Sequence, residues 1–113
     1  MKIMKIIKKT DIILFELIES KINSGNVLFT SHALQRMKQR NITELAVLSI
    51  LAEEAGATRR RNKKKDVLED ISIIEPATDW KYCIEGEFLG SKTIRIIVTF
   101  SNEKMPIITV INI

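Results

Sequence analysis

The spacing of the apolar residues changes once along this chain, and that change sets the fold class. In the first half they recur at helical intervals, as in Leu14, Ile18 and Ile22. In the second half they alternate, as in Trp80, Tyr82 and Ile84 and again in Ile94, Ile96, Val98 and Phe100. A period near 3.6 lays one apolar stripe along a helix, whereas a period of two gives a strand one apolar face. Helices first and strands after define an α+β domain. We expect amino-terminal helices packed on one face of a three- to four-stranded antiparallel sheet, with Ile94, Ile96, Val98 and Phe100 turned toward them. The 113 residues suit one domain over 1–113.

Local signals divide the chain further. A first helix is expected from about Thr10 to Ser24, stopped by Asn23-Ser24-Gly25-Asn26. A second begins at Thr30 or Ser31, whose hydroxyl caps free amides, and runs to about Arg40, with Asn41 as the break. A third runs from Glu44 to about Glu54 behind Thr43, with Ile42 and Val47 as a staple and Gly56 as the stop. Met1 to Lys9 reads as an extra helical turn or a short strand. Extended segments follow from Val67 to Ile74, ended by Pro76, then around Tyr82, then from Thr93 to Phe100. The last runs from Ile107 to Ile113, with Pro106 at its start, where a missing amide does least harm.

Composition narrows the chemistry. The lone Cys83 excludes an internal disulfide and a cysteine-based zinc cage, and the lone His32 excludes a histidine-rich metal site. No paired carboxylate motif is evident, so neither a metal nor a cofactor is expected. No apolar run approaches the ~20 residues of a membrane span. The start, MKIMKIIKK, has no long apolar stretch and no small-residue cleavage site. A cytoplasmic protein without membrane contact is expected.

Eighteen basic residues against fourteen acidic give +4, and the excess is clustered. Lysines stand at 2, 5, 8 and 9, and Arg59, Arg60, Arg61, Lys63, Lys64 and Lys65 make up six of seven consecutive positions. Clustered positive charge attracts phosphate backbones. A solvated loop explains the same run.

His32, Arg36 and Arg40 are four residues apart and form one ridge of the second helix. Guanidinium forks fit phosphate oxygens, and an imidazole exchanges a proton near neutral pH. Ribonuclease chemistry needs these parts: proton transfer at the 2′-hydroxyl and the 5′-oxygen, and cations for the phosphorane charge. In the strands, Lys81, Arg95 and Lys92 are further cationic candidates. Arg95 interrupts an apolar stretch, so either an anion or a glutamate salt bridge awaits it. Tyr82 either stacks on a base or packs in the core. Trp80 is expected in the core, and Cys83 as inert packing.

The segment Phe29-Thr30-Ser31-His32-Ala33-Leu34-Gln35-Arg36-Met37-Lys38-Gln39-Arg40-Asn41-Ile42 resembles a bacterial family catalogued as a domain of unknown function, with the pattern F-[ST]-x-H-A-x-x-R-M-x-x-R-x-I. That family looks like a relative of the RelE and BrnT toxins in the barnase-like ribonuclease group. The resemblance implies a compact RelE-like α+β fold, metal-independent RNA cleavage and a partner antitoxin. His32, Arg36 and Arg40 match its signature positions, and Arg95 falls where toxin relatives often place a basic residue. The run 59–65 looks like an insertion. The reading that follows is an mRNA interferase-like toxin cutting RNA through a 2′,3′-cyclic phosphate. His32, Arg36, Arg40 and Arg95 would be catalytic. Arg59, Arg60, Arg61, Lys63, Lys64, Lys65, Lys81, Tyr82 and Lys92 would bind RNA. The alternative is a non-enzymatic regulator that binds nucleic acid or an acidic protein. A helix-turn-helix version would read bases with the third helix, yet Leu45, Val47, Leu48, Ile50 and Leu51 there come with no basic residue.

Overall fold

A computed structural model describes residues 6–68 and 79–113. Most of the expected strand 67–74, with Pro76, lies outside the described residues, as does the start of the segment 1–9. Among the described residues, three helices and five strands follow in chain order. They are α1 (Asp11–Asn23), β1 (Val27–Phe29), α2 (Ser31–Arg40), α3 (Glu44–Leu51), β2 (Arg60–Arg61), β3 (Tyr82–Gly86), β4 (Ile94–Val98) and β5 (Met105–Asn112), with a 3-10 turn at Lys63–Lys65 after β2.

The helix starts share one device. Thr10, Thr30 and Thr43 each accept a backbone N–H from three residues on, at 3.5, 3.2 and 3.1 Å, which satisfies one orphan donor per helix. The helix ends share another. Gly25, Asn41 and Glu53 adopt left-handed φ values of 75°, 56° and 52°. The residue after each donates back into the last turn: Asn26 to Lys21, Ile42 to Met37 and Glu54 to Ser49. These are Schellman closures. The third helix is therefore shorter than expected, because Glu53 takes the closing conformation three residues before Gly56.

The sheet order is β1-β5-β4-β3-β2. This corrects the expectation of three or four antiparallel strands: among the described residues the sheet has five strands and is mixed. β3, β4 and β5 do pair antiparallel, with Ile84 opposite Ile96 and Ile96 opposite Val110. β1 adds a parallel edge, Val27 to Met105 and Phe29 to Ile107, and β2 adds an antiparallel one. Pro106 sits within β5, beside the register shift at Ile97 and Val98. An irregular ladder tolerates its missing amide.

The core lies between the helices and one face of the sheet. Leu14 and Ile18 of α1, Ala33 and Met37 of α2, and Val47, Ile50 and Leu51 of α3 meet Tyr82, Ile84, Ile94, Ile96, Val98, Met105, Ile107 and Val110. Each large aliphatic side chain so buried contributes roughly 1.5–3 kcal/mol. The expected inward set Ile94, Ile96, Val98 and Phe100 is buried here.

Candidate nucleic-acid interface

The packing of α2 decides which of its faces is offered to a ligand. Thr30 donates its hydroxyl to the Ile107 carbonyl at 2.7 Å while capping the helix, so α2 is tied to β5 at its first turn. Ala33 and Met37 point into the core. His32 is left exposed, and Arg36 and Arg40 are half-buried along the flank. None of the three makes an ion pair or side-chain hydrogen bond with any described residue. The spacing thus becomes a continuous ridge of one imidazole and two guanidiniums.

The ridge ends at a cleft of about 350 Å³ between the α2–α3 corner and the β3–β4 connection. Arg40, Asn41, Thr43, Phe88, Lys92 and Asn112 help to line it, and among the described residues no carboxylate does. The structure therefore brings Lys92 to Arg40, although 52 positions separate them in the chain.

It does not bring Arg95 there. Strand alternation turns Ile94, Ile96 and Val98 to the helices and Arg95 to the opposite face. Arg95 donates from Nε to Glu85 at 2.8 Å, directly across the ladder. Glu85 also accepts from Arg60 at 3.0 Å and Asn62 at 3.2 Å. Burial opposes the charge on Glu85, but these donors outweigh it, and the carboxyl is held below its ordinary range. Of the two readings of Arg95, the glutamate salt bridge is the one realised.

The run 59–65 is built into the fold: its first residues enter β2 and its last form the 3-10 turn. The Arg59 guanidinium lies 4.1 Å from the Phe15 ring and donates to the Leu51 carbonyl at 2.6 Å. The Arg61 side chain is only 2% exposed. It grips Asp66 through Nε and Nη2 at 3.1 and 2.9 Å and Asp11 through Nη1 at 2.8 Å. Arg60 and Lys63 remain largely open at 70% and 60% exposure despite pairing with Glu85 and Asp11. Lys64 and Lys65 are exposed. A backbone phosphate therefore has access to Arg60 and the lysine turn, not to Arg59 or Arg61.

Tyr82 is fully buried and stacks on no base: its hydroxyl donates to Asp79 at 2.6 Å and accepts the Lys9 amide at 3.2 Å. Desolvation, with Asp79 alongside, raises its pKa well above the ordinary phenol value. Lys81 is half-buried beside it, bridged through its backbone to Val67. Trp80 is partly buried against the core, and Cys83 is wholly buried. Three buried acids, Asp66, Asp79 and Glu85, organise these arginines, lysines and tyrosine. Sequence reasoning passed over them. For Glu85 the available signal was an acid inside an alternating apolar stretch, which must find a cation once buried.

Among the described residues, no group of three His, Cys, Asp or Glu side chains is placed to hold a metal ion. No described helix is long and apolar enough to cross a membrane.

An α+β domain with three capped helices on one sheet face and a cationic ridge on its second helix is the class that fold and surface define. Residues 29–112 match the family described as Domain of unknown function (DUF4258), and the chain belongs to that family. The match begins at Phe29 and takes in α2, the cleft and nearly all of the sheet, while α1 precedes it. No curated protein and no solved structure matches the chain.

Proposed function

We propose that this chain is a RelE-like, toxin-type ribonuclease domain that binds RNA along α2 and cleaves it without a metal. The observation that carries the reading is the ridge His32, Arg36 and Arg40, which no described acid neutralises and which runs into a cleft that Lys92 shares and no described carboxylate lines. In this mechanism the RNA 2′-oxygen attacks the adjacent phosphorus. His32 takes the 2′-hydroxyl proton, the bond from phosphorus to the 5′-oxygen breaks, and that oxygen takes a proton from water. The products are a 2′,3′-cyclic phosphate and a free 5′-hydroxyl. Arg36 and Arg40 hold the phosphate and its extra transition-state charge. Arg95 has no part, since Glu85 occupies it on the other face. An antitoxin would be a protein whose acidic side chains cover the ridge.

The capture of Arg95 also favours a second reading, in which the same ridge binds RNA and cuts nothing. One experiment separates the two: purified protein on single-stranded RNA, scored for binding and for 2′,3′-cyclic phosphate ends. The ribonuclease reading expects His32→Ala to lower cleavage about 100- to 10,000-fold with binding nearly unchanged. Arg36→Ala lowers both, and a chelator changes neither. Binding without cleavage by the unaltered protein selects the second reading. Absence of binding overturns both.

A further inference from the structure

The ridge presents charge but no enclosure, whereas the cleft at its end presents both. We infer that this cleft is a pocket for a single nucleotide unit, with the phosphate between Arg40 and Lys92 and the base against Phe88. The nature of the occupant rests on the RNA reading above.

Three observations support it. The first is charge. Arg40 and Lys92 come from different parts of the fold, α2 and the β3–β4 connection, and neither has an ion pair with a described residue. No described residue of the lining is acidic. Two cations without a counter-charge in a shared recess favour an anion, and a guanidinium beside an ammonium suits phosphate oxygens. The second is size. A cleft of about 350 Å³ lies within the roughly 300–1,000 Å³ of small-molecule sites, whereas an inorganic ion would leave most of it empty. The third is the remaining chemistry. Phe88 is the one aromatic residue of the lining, and aromatic faces stack on bases of any sequence. The side-chain amides of Asn41 and Asn112 make no hydrogen bond with a described residue, so each offers a donor and an acceptor to a base edge. Thr43 and Ser91 are already committed, to the Ala46 amide and to Phe88 and Lys92.

The wall that carries Phe88 and Lys92 is fixed before any ligand arrives. Phe88 donates to Ser91 Oγ at 3.2 Å, Ser91 returns its N–H to the Phe88 carbonyl at 3.1 Å, and Leu89 donates to the Gly56 carbonyl at 2.8 Å. The opposite wall is the closed end of α2. Such preorganisation lowers the ordering cost of binding.

The test is titration of the 15N-labelled protein with adenosine 3′-monophosphate, adenosine and inorganic phosphate, with single-stranded RNA binding measured on the same sample. Backbone amide shifts are expected within 41–46, within 88–94 and at Asn112, with the nucleotide binding more tightly than either fragment. Lys92→Glu should weaken the nucleotide about tenfold or more, since it exchanges a charge-assisted contact for repulsion. Phe88→Leu keeps apolar bulk, and should weaken the nucleotide but not inorganic phosphate. Shifts confined to 31–36 or 63–65, no shift at millimolar nucleotide, or an unchanged affinity in Lys92→Glu would overturn the pocket. If RNA still binds in that event and Arg36→Ala abolishes the binding, the ridge stands and only the pocket falls. If neither RNA nor nucleotide binds, both fall. If the nucleotide binds at the cleft and RNA does not bind at all, the pocket stands and the RNA reading falls.

Discussion

Asp66 shows how much of this protein's charge is spent on holding it together. Both of its oxygens are engaged: Oδ2 by Arg61 and Lys8, and Oδ1 by the Cys83 amide at 2.8 Å. Asp66→Asn leaves Arg61 buried beside a neutral amide, and breaking a buried pair in this way costs about 3–5 kcal/mol. Urea unfolding should show that loss, whereas Lys64→Gln should cost almost nothing. Glu85 adds a pH dependence of known sign. Its folded pKa is depressed below the ordinary 4.5, so its contribution is complete above that value. The contribution disappears as pH falls through the folded pKa. The acid limb of a stability profile should therefore flatten in Glu85→Gln. The neighbouring Cys83 thiol runs the other way: burial, with the Glu85 charge, pushes it up to about 11. Thiol reagents at pH 8 should label it only after unfolding, and rapid labelling of the native protein would contradict its place in the sheet.

The elements depend on a few small residues. Thr30 both caps α2 and ties it to β5, so Thr30→Ala should cost about 1–2 kcal/mol, more than the cap-only change Thr43→Ala, while Thr30→Ser keeps most of the stability. Gly86 is fixed by space rather than by backbone angle. A Cβ there would stand 2.0 Å from the Thr58 carbonyl oxygen and 2.7 Å from Ile50. Gly86→Ala must therefore push β2 away from β3, at about 1–3 kcal/mol, visible as lost amide protection at Thr58 and Asn62, which donate to the Glu87 and Cys83 carbonyls. The sequence made some of this readable and concealed the rest for physical reasons. The helix starts at Thr30 and Thr43 were legible because capping by a threonine hydroxyl is local, whereas the tie from Thr30 to Ile107 was not. The ridge His32, Arg36 and Arg40 was legible because helix geometry alone aligns it. β1 was not: Val27, Leu28 and Phe29 are too few to show a period, and their partner in β5 is remote. Arg61 looks like its neighbours in a run of like charges, and only the distant Asp11 and the nearby Asp66 pull it inside. The meeting of Arg40 with Lys92 depends on where two connections lie in space, which local pattern does not encode.

At the scale of the molecule, the positive charge divides into two surfaces. α2 packs on β5, while the lysine turn adjoins β3 and β2 at the other end of the sheet order. An RNA touching both must cross the domain. Neutralising all of Arg59, Arg60, Arg61, Lys63, Lys64 and Lys65 would unfold the protein as well as discharge it. The informative variant is Lys63→Gln, Lys64→Gln, Lys65→Gln. Each lysine that meets single-stranded RNA should account for about 0.7 in the slope of log affinity against log salt. An unchanged slope would make the turn a solvated surface. The seam between Thr30 and Ile107 spans 77 positions, and it orders the protein's assembly in time. During synthesis, the basic helix emerges long before the strand that forms its floor. Non-local pairings of this kind are slow to form, because loop closure precedes any gain from the contact. A nascent chain stopped at Lys104 should be protease-sensitive throughout α2 and bind RNA weakly. Once residues 105–112 have emerged, protection and binding should arrive together. On the ribonuclease reading proposed above, such a domain would be harmless while its own message is still being read.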